Sequence, residues 1–224
     1  MKKTTAVPFA QLPPGVRNQL EKLKSTVVLS ASKKRIRSIL FMSYNHGEGT
    51  TTVATSFAES LAQDKRFKTM LVDANTRKPA LQVAGGGGNG HVAFADVFTG
   101  QVENWTMPKP APDANMSVVA SGSPPYHPSQ VFDHKRFARF MTNAKKLFHF
   151  IIFDSSPIGQ YYDSIVLGSH VDAVILVIQA ERTQLHEIRW AKQMLEDRDI
   201  PILGTVLNRR RFHIPAFIFE RFFR

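Results

Sequence analysis

The sequence predicts an α/β fold, a mostly parallel central sheet flanked by helices, on three observations. Ile39, Leu40, Phe41 and Met42 form a short apolar run of the kind a buried parallel strand requires. Gly47 and Gly49 follow, and then residues 51–62 carry Val53, Ala54, Phe57, Ala58, Leu61 and Ala62 at the three- and four-residue spacing of a helix. Two more apolar runs, at 70–72 and 150–153, each end in a carboxylate, Asp73 and Asp154. Ligands in open α/β sheets bind at such carboxyl ends.

Taken in order, residues 1–15 contain Pro8, Pro13 and Pro14 and read as an extended arm. Val16, Leu20, Leu23 and Val27 then give one helical stripe. Lys33, Lys34, Arg35 and Arg37 precede the first strand and so belong at its far end, roughly 15 Å or more from the glycine turn at about 3.3 Å per residue. Gly85 to Gly90 reads as a mobile spacer near the second strand's end. Prolines 108, 110, 112, 124, 125 and 128 mark irregular connections around one strand at 116–120, and 132–148 is a basic helical region. Strands at 171–178 and 202–207, with a helix at 183–197 between them, complete the set. There are no internal repeats. One domain over 16–208 is predicted, with a basic aromatic tail at 209–224.

Strand, glycine turn and helix together make the layout of a phosphate-binding loop, in which successive N–H groups and the positive end of a helix converge on an anion. The general pattern G-x-x-x-x-G-K-[ST] places its last glycine at Gly49 and its Mg²⁺-binding hydroxyl at Thr51. It finds Tyr44 at the first glycine and Thr50 at the lysine. The site therefore reads as a nucleotide site without its main cation.

With the second and third segments added, the chain resembles the bacterial tyrosine kinases, cytoplasmic P-loop proteins that work with membrane polysaccharide co-polymerases in capsule and exopolysaccharide export. The resemblance runs from about Val16 to Asn208. A loop of the form PGEGKST corresponds to His46-Gly47-Glu48-Gly49-Thr50-Thr51-Thr52. A second motif, DxDxRxP, corresponds to Asp73, Asn75, Arg77 and Pro79, and a third, DxPP, to Asp154-Ser155-Ser156-Pro157. Lesser matches are Ala95 to Gly100, Asp163 and the strand Gly204 to Asn208 on the adenine side. The resemblance implies a P-loop NTPase fold of the MinD/ParA type. It implies ATP or ADP held by Gly47, Glu48, Gly49, Thr50, Thr51, Thr52, Arg77 and Asn208, Mg²⁺ held by Thr51, Asp73 and Asp154, and catalytic roles for Asp73 and Asp154.

The departures decide the functional expectation. Thr50 offers a hydroxyl where the family has a point charge on the phosphates, a loss of roughly 1.5 to 3 kcal/mol, or about ten- to a hundredfold in affinity. Phosphoryl transfer suffers more, since its catalysis is mainly electrostatic. Asn75 can hydrogen-bond a hydrated metal but cannot act as a base. Arg77 and Lys78 leave the second strand beside the loop, as residual phosphate contacts or as caps of a surface turn. The family's C-terminal tyrosine cluster is missing: the four tyrosines are Tyr44, Tyr126, Tyr161 and Tyr162. Its E-x-x-R-x-x-R oligomerisation motif aligns with Asn18, Glu21 and Lys24 only, which leaves homo-oligomers open.

The chain has 224 residues, 43% of them hydrophobic, with no run long enough to span a bilayer and no hydrophobic signal-peptide core, so a cytoplasmic protein is expected. Lack of cysteine excludes disulfides and thiolate chemistry, and the eight histidines show no metal-binding spacing. The net charge of +11 calls for an acidic partner, a membrane surface or solubility. If residues 216–224 are helical, Ile218, Phe219, Phe222 and Phe223 share one face, making an interfacial anchor on the inner membrane face, a partner-docking helix, or a helix packed on its own domain. Basic and aromatic residues are not interleaved as single-strand nucleic-acid binders require. The sequence thus predicts a kinase-like protein of weakened activity that partners a membrane co-polymerase. The alternatives are an active Mg-ATP-dependent autokinase or ATPase of the same pathway, and a MinD/ParA-like positioning ATPase.

Overall fold

A computed structural model describes residues 9–81, 93–95, 107–108, 115–122 and 133–210. The glycine run at 85–90, most of the segment at 95–100, Tyr126 and the aromatic tail from Arg211 onward lie outside these residues.

The fully apolar runs do form strands. β1 (Ser38–Met42), β2 (Thr69–Asp73), β3 (Met116–Val119), β4 (Phe150–Asp154), β5 (Ala173–Gln179) and β6 (Ile202–Asn208) make one sheet in the order β3-β2-β4-β1-β5-β6. Every pairing is parallel. Ile39 and Phe41 point into one apolar layer, with Leu71, Ile152 and Ile175, while Leu40 and Met42 point into the other, with Val72, Phe153 and Leu176. Burial on both faces is why these strands read as unbroken hydrophobic runs rather than alternating ones.

Five helices bounded within the described residues, with the buried helical pair Phe94 and Ala95, supply the two layers. α1 (Pro14–Lys34) and α2 (Thr50–Gln63) cover the first; α3 (His134–Leu147), α4 (Asp163–Gly168) and α5 (Leu185–Glu196) cover the second. α1 begins within the span expected as an extended arm, with Pro14 in its first turn, where the missing N–H costs nothing. Before it, Phe9–Gln11 forms a 3₁₀ turn whose Phe9 ring is buried and whose Phe9 N–H is bound by the Glu59 carboxylate of α2. The helical stripe falls on Leu20, Val27 and Ala31, with Leu23 partly buried beside them, while Val16 stays 46% exposed.

The far end of the sheet holds the basic residues that precede β1. Arg37 donates to the carbonyls of Lys145, Phe148 and His149 at the end of α3, and Asp172 accepts from the N–H groups of Arg37 and Ser38 and from Lys145. Arg37 is thus spent on capping α3, at the edge opposite the glycine turn.

Candidate nucleotide site

At the carboxyl edge of the sheet, β1 runs into the loop 43–50 and then α2. Gly47 and Gly49 adopt φ of 82° and 94°, left-handed values that a side chain would resist. The first helical hydrogen bond is Val53 N–H to the Gly49 carbonyl at 3.0 Å, so the helix leaves the N–H groups just ahead of it without an intrahelical acceptor. Those groups are what a P-loop offers an anion.

The side chains around the loop turn inward. Thr50 is buried, and its hydroxyl donates to Ser43 Oγ at 2.8 Å, which in turn donates to the Asn45 carbonyl. The lysine position therefore holds a group that braces the loop from inside. Glu48 is 1% exposed; its Oε2 accepts the N–H groups of Tyr44 and Asn45, and its Oε1 accepts the Thr183 hydroxyl. Its carboxylate is a strut of the loop, so what Glu48 can offer a phosphate is its backbone. Asn208, at the end of β6, donates from Nδ2 to the Glu48 carbonyl at 2.8 Å. It packs so closely on Gly49 that an added Cβ would lie 2.2 Å from that nitrogen. Asn45 Nδ2 donates to Glu187 Oε1 at 2.9 Å, while Glu187 Oε2 caps α5 through the Gln184 N–H. These bonds hold its carboxyl below the usual carboxylate range.

Adjacent in register on β2 and β4, Asp73 and Asp154 form the acidic floor of the site. Asp73 is occupied: Oδ1 accepts the Asn75 N–H and Oδ2 those of Ala80 and Leu81, which shapes the loop after β2. Burial still raises its carboxyl, against those hydrogen bonds. Asp154 is fully buried and has no well-formed hydrogen bond to either carboxylate oxygen. Burial first, and the charge of Asp73 second, push its carboxyl up to about 8, with the Thr51 hydroxyl pulling the other way. An orphaned buried carboxylate beside a second one is a donor set that a hard cation completes, so the residues present fit Mg²⁺.

Two departures from the family pattern touch each other. Asn75 Oδ1 accepts the Ser156 hydroxyl at 2.8 Å and also the Lys78 N–H, so the second and third motifs are joined by an amide and a hydroxyl. The third motif is strapped to the first by Ile158 N–H to the Ser43 carbonyl and Gly159 N–H to the Tyr44 carbonyl. Arg77, expected as a phosphate contact, pairs its Nε with Asp163 Oδ2 at 3.0 Å and lies 5.2 Å from the Tyr161 ring centroid. Lys78 is exposed. On its other side Tyr161 meets His46 edge to face.

Sequence reasoning did not reach Thr183, Glu187 or Arg182. All three follow β5, 135 residues beyond Glu48 in the case of Thr183. The rule that singled out the ends of β2 and β4 applies equally to β5, where Glu181 and Arg182 follow Gln179.

A glycine loop between strand and helix, with carboxylates at the ends of neighbouring parallel strands, defines a P-loop NTPase fold of the MinD-like class. MinD from Pyrococcus horikoshii OT3, solved as a complex with Mg-ADP, superposes with a TM-score of 0.62 at 20% identity over 83% of this chain and 76% of that one. The kinase domain of VpsO superposes with a TM-score of 0.71 at 25% identity, covering 87% and 98%. The chimeric protein CapA2B2 does so at 0.76 and 22%, covering 91% and 88%. Among curated proteins, the tyrosine-protein kinase CpsD of Streptococcus agalactiae is 29% identical over 84% of this chain and 80% of its own length. YwqD of Bacillus subtilis, also a tyrosine-protein kinase, is 25% identical over 86% and 81%. No protein-family model matches the chain. The chain is thus similar to bacterial tyrosine-protein kinases of the P-loop class, and differs from their loop pattern in having Thr50 at the lysine position.

Proposed function

We propose that this protein is a kinase-like P-loop protein with an impaired active site, acting through its surfaces as partner or regulator of a membrane polysaccharide co-polymerase in exopolysaccharide or capsule synthesis and export. The observation that carries the reading is the Thr50 hydroxyl bound to Ser43 inside the loop, where the family places an ammonium against the phosphates. Removing that charge takes electrostatic stabilisation from phosphoryl transfer, which depends on it more than ground-state binding does. Asn75 adds to the impairment, because its amide cannot take a proton where the family has a carboxylate. The resemblance to the bacterial tyrosine kinases supports the choice of pathway.

Nucleotide binding is a separate matter from turnover. Thr51, Asp154 and Asp73 would hold Mg²⁺, which supplies charge neutralisation of bound phosphates. The intact acidic floor, with Asp154 unpartnered, favours a second reading in which an active ATPase or autokinase survives. Phosphate release and tyrosine phosphorylation, measured for wild type and Thr50→Lys, separate the two. The proposed reading expects wild-type rates at the no-enzyme background. Wild-type turnover clearly above the no-enzyme background would overturn it.

A further inference from the structure

The turn after β5 delivers an arginine to the phosphate loop, and the turn after β6 sets a second arginine beside the first. Arg182 Nη1 lies 3.5 Å from the position a Cβ would take on Gly47, so its guanidinium sits against the loop's exposed glycine. Its placement is fixed from several sides. Thr183, the next residue, is bonded through its hydroxyl to Glu48, and its N–H and that of Arg182 both return to the Gln179 carbonyl. Gln179 N–H donates to Thr183 Oγ1 at 3.0 Å, and Asn45 reaches Glu187 one turn further on.

Arg209 comes from the other side. Its N–H donates to Asn208 Oδ1 at 2.9 Å, and Asn208 is itself bound to the Glu48 carbonyl. Arg209 Nη1 and Arg182 Nη1 converge on one acceptor, Gln179 Oε1, at 3.3 and 3.4 Å. Among the described residues, neither arginine makes a salt bridge within 4.0 Å, although the charge of Arg182 does help to lower the Glu187 carboxyl. Two guanidinium groups thus share a single neutral oxygen beside an anion-binding loop. Both turns also contain a non-glycine residue at left-handed φ, Glu181 at 62° and Arg209 at 56°.

We infer that Arg182, assisted by Arg209, is the cation that faces the phosphates of a bound nucleoside di- or triphosphate, in place of the lysine absent at Thr50. A guanidinium can engage phosphate oxygens in a two-pronged contact that a hydroxyl cannot match. Arg182 reaches the loop from outside, across Gly47, whereas a lysine at position 50 would reach from within the helix start. The inference deepens the reading above and rests on it in taking the loop as a polyphosphate site.

The test is calorimetric titration of the full chain with Mg-ADP, and with inorganic pyrophosphate plus Mg²⁺, for wild type, Arg182→Ala, Arg182→Lys and Arg182→Ala/Arg209→Ala. Unchanged melting temperatures in these exposed-site variants confirm that folding is intact. Affinity should fall roughly ten- to a hundredfold in Arg182→Ala and further in the double variant, with a shallower salt dependence. Arg182→Lys should recover part of the loss, and Thr50→Lys added to Arg182→Ala should recover most of it. Equal affinity in wild type and Arg182→Ala overturns the inference, as does a wild type that binds neither ligand; neither result touches the proposed partner role. Conversely, wild-type turnover would overturn the impaired-site reading and leave Arg182 in place.

Discussion

At a single residue, Asp154 is fully buried and its carboxylate carries a desolvation cost. In the unfolded chain its carboxyl titrates near 3.8; in the fold, burial and Asp73 push it up to about 8. The native state therefore holds a proton that the unfolded chain releases, and stability present below pH 3.8 is lost as pH rises toward about 8. The slope from one such group is at most about 1.4 kcal/mol per pH unit. Asp154→Asn removes the titration. In metal-free buffer its stability gain over wild type, measured by urea denaturation, should grow from pH 5 to pH 8 and then level off. A gain that does not change with pH would show that Asp154 is ionised in the fold throughout. The same residue explains why the floor of the site could be read from sequence: a carboxylate at the end of an all-apolar strand is costly to bury, and Asp154 has no well-formed hydrogen bond to offset that cost. Thr50 was legible only by its identity. That its hydroxyl turns to Ser43 depends on loop geometry that no spacing encodes.

At the scale of elements, buried strands and the helix after the loop were the clearest features, because apolar runs of four or five residues and a three- and four-residue repeat fit few alternative local structures. α2 was expected over 51–62 and spans Thr50–Gln63. β3, expected to end at Ala120, ends at Val119. α1 was harder to place. Its start hides behind two prolines, which also mark extended chain, and only the burial of Phe9 against α2 shows that the preceding turn belongs to the core. α2 links loop and core through Phe57, which is fully buried with its ring 5.3 Å from that of Phe41 on β1. Phe57→Ala should cost about 3 to 5 kcal/mol and lower the urea midpoint accordingly. A loss below about 1 kcal/mol would mean that α2 is not held on the sheet by this contact. The clamp between the loop and the elements after β5 and β6 was invisible beforehand. It joins Glu48 to Thr183 and Asn208, far apart in the chain, and single polar residues in turns carry no periodic signal.

For the whole molecule, the strand, glycine loop and helix of a P-loop are present, while Thr50 occupies the position of the lysine. The glycines, the acidic pair and the helix start are intact, and polar contacts among Asn75, Ser156, Thr50 and Ser43 replace charged or rigid motif positions. No helix among the described residues is long and apolar enough to cross a membrane. Phosphate release from Mg-ATP, measured for wild type and Thr50→Lys, tests the central claim most directly. Wild type should stay at the no-enzyme background. Wild-type release clearly above that background would contradict the claim, because the loop would then turn nucleotide over without the lysine.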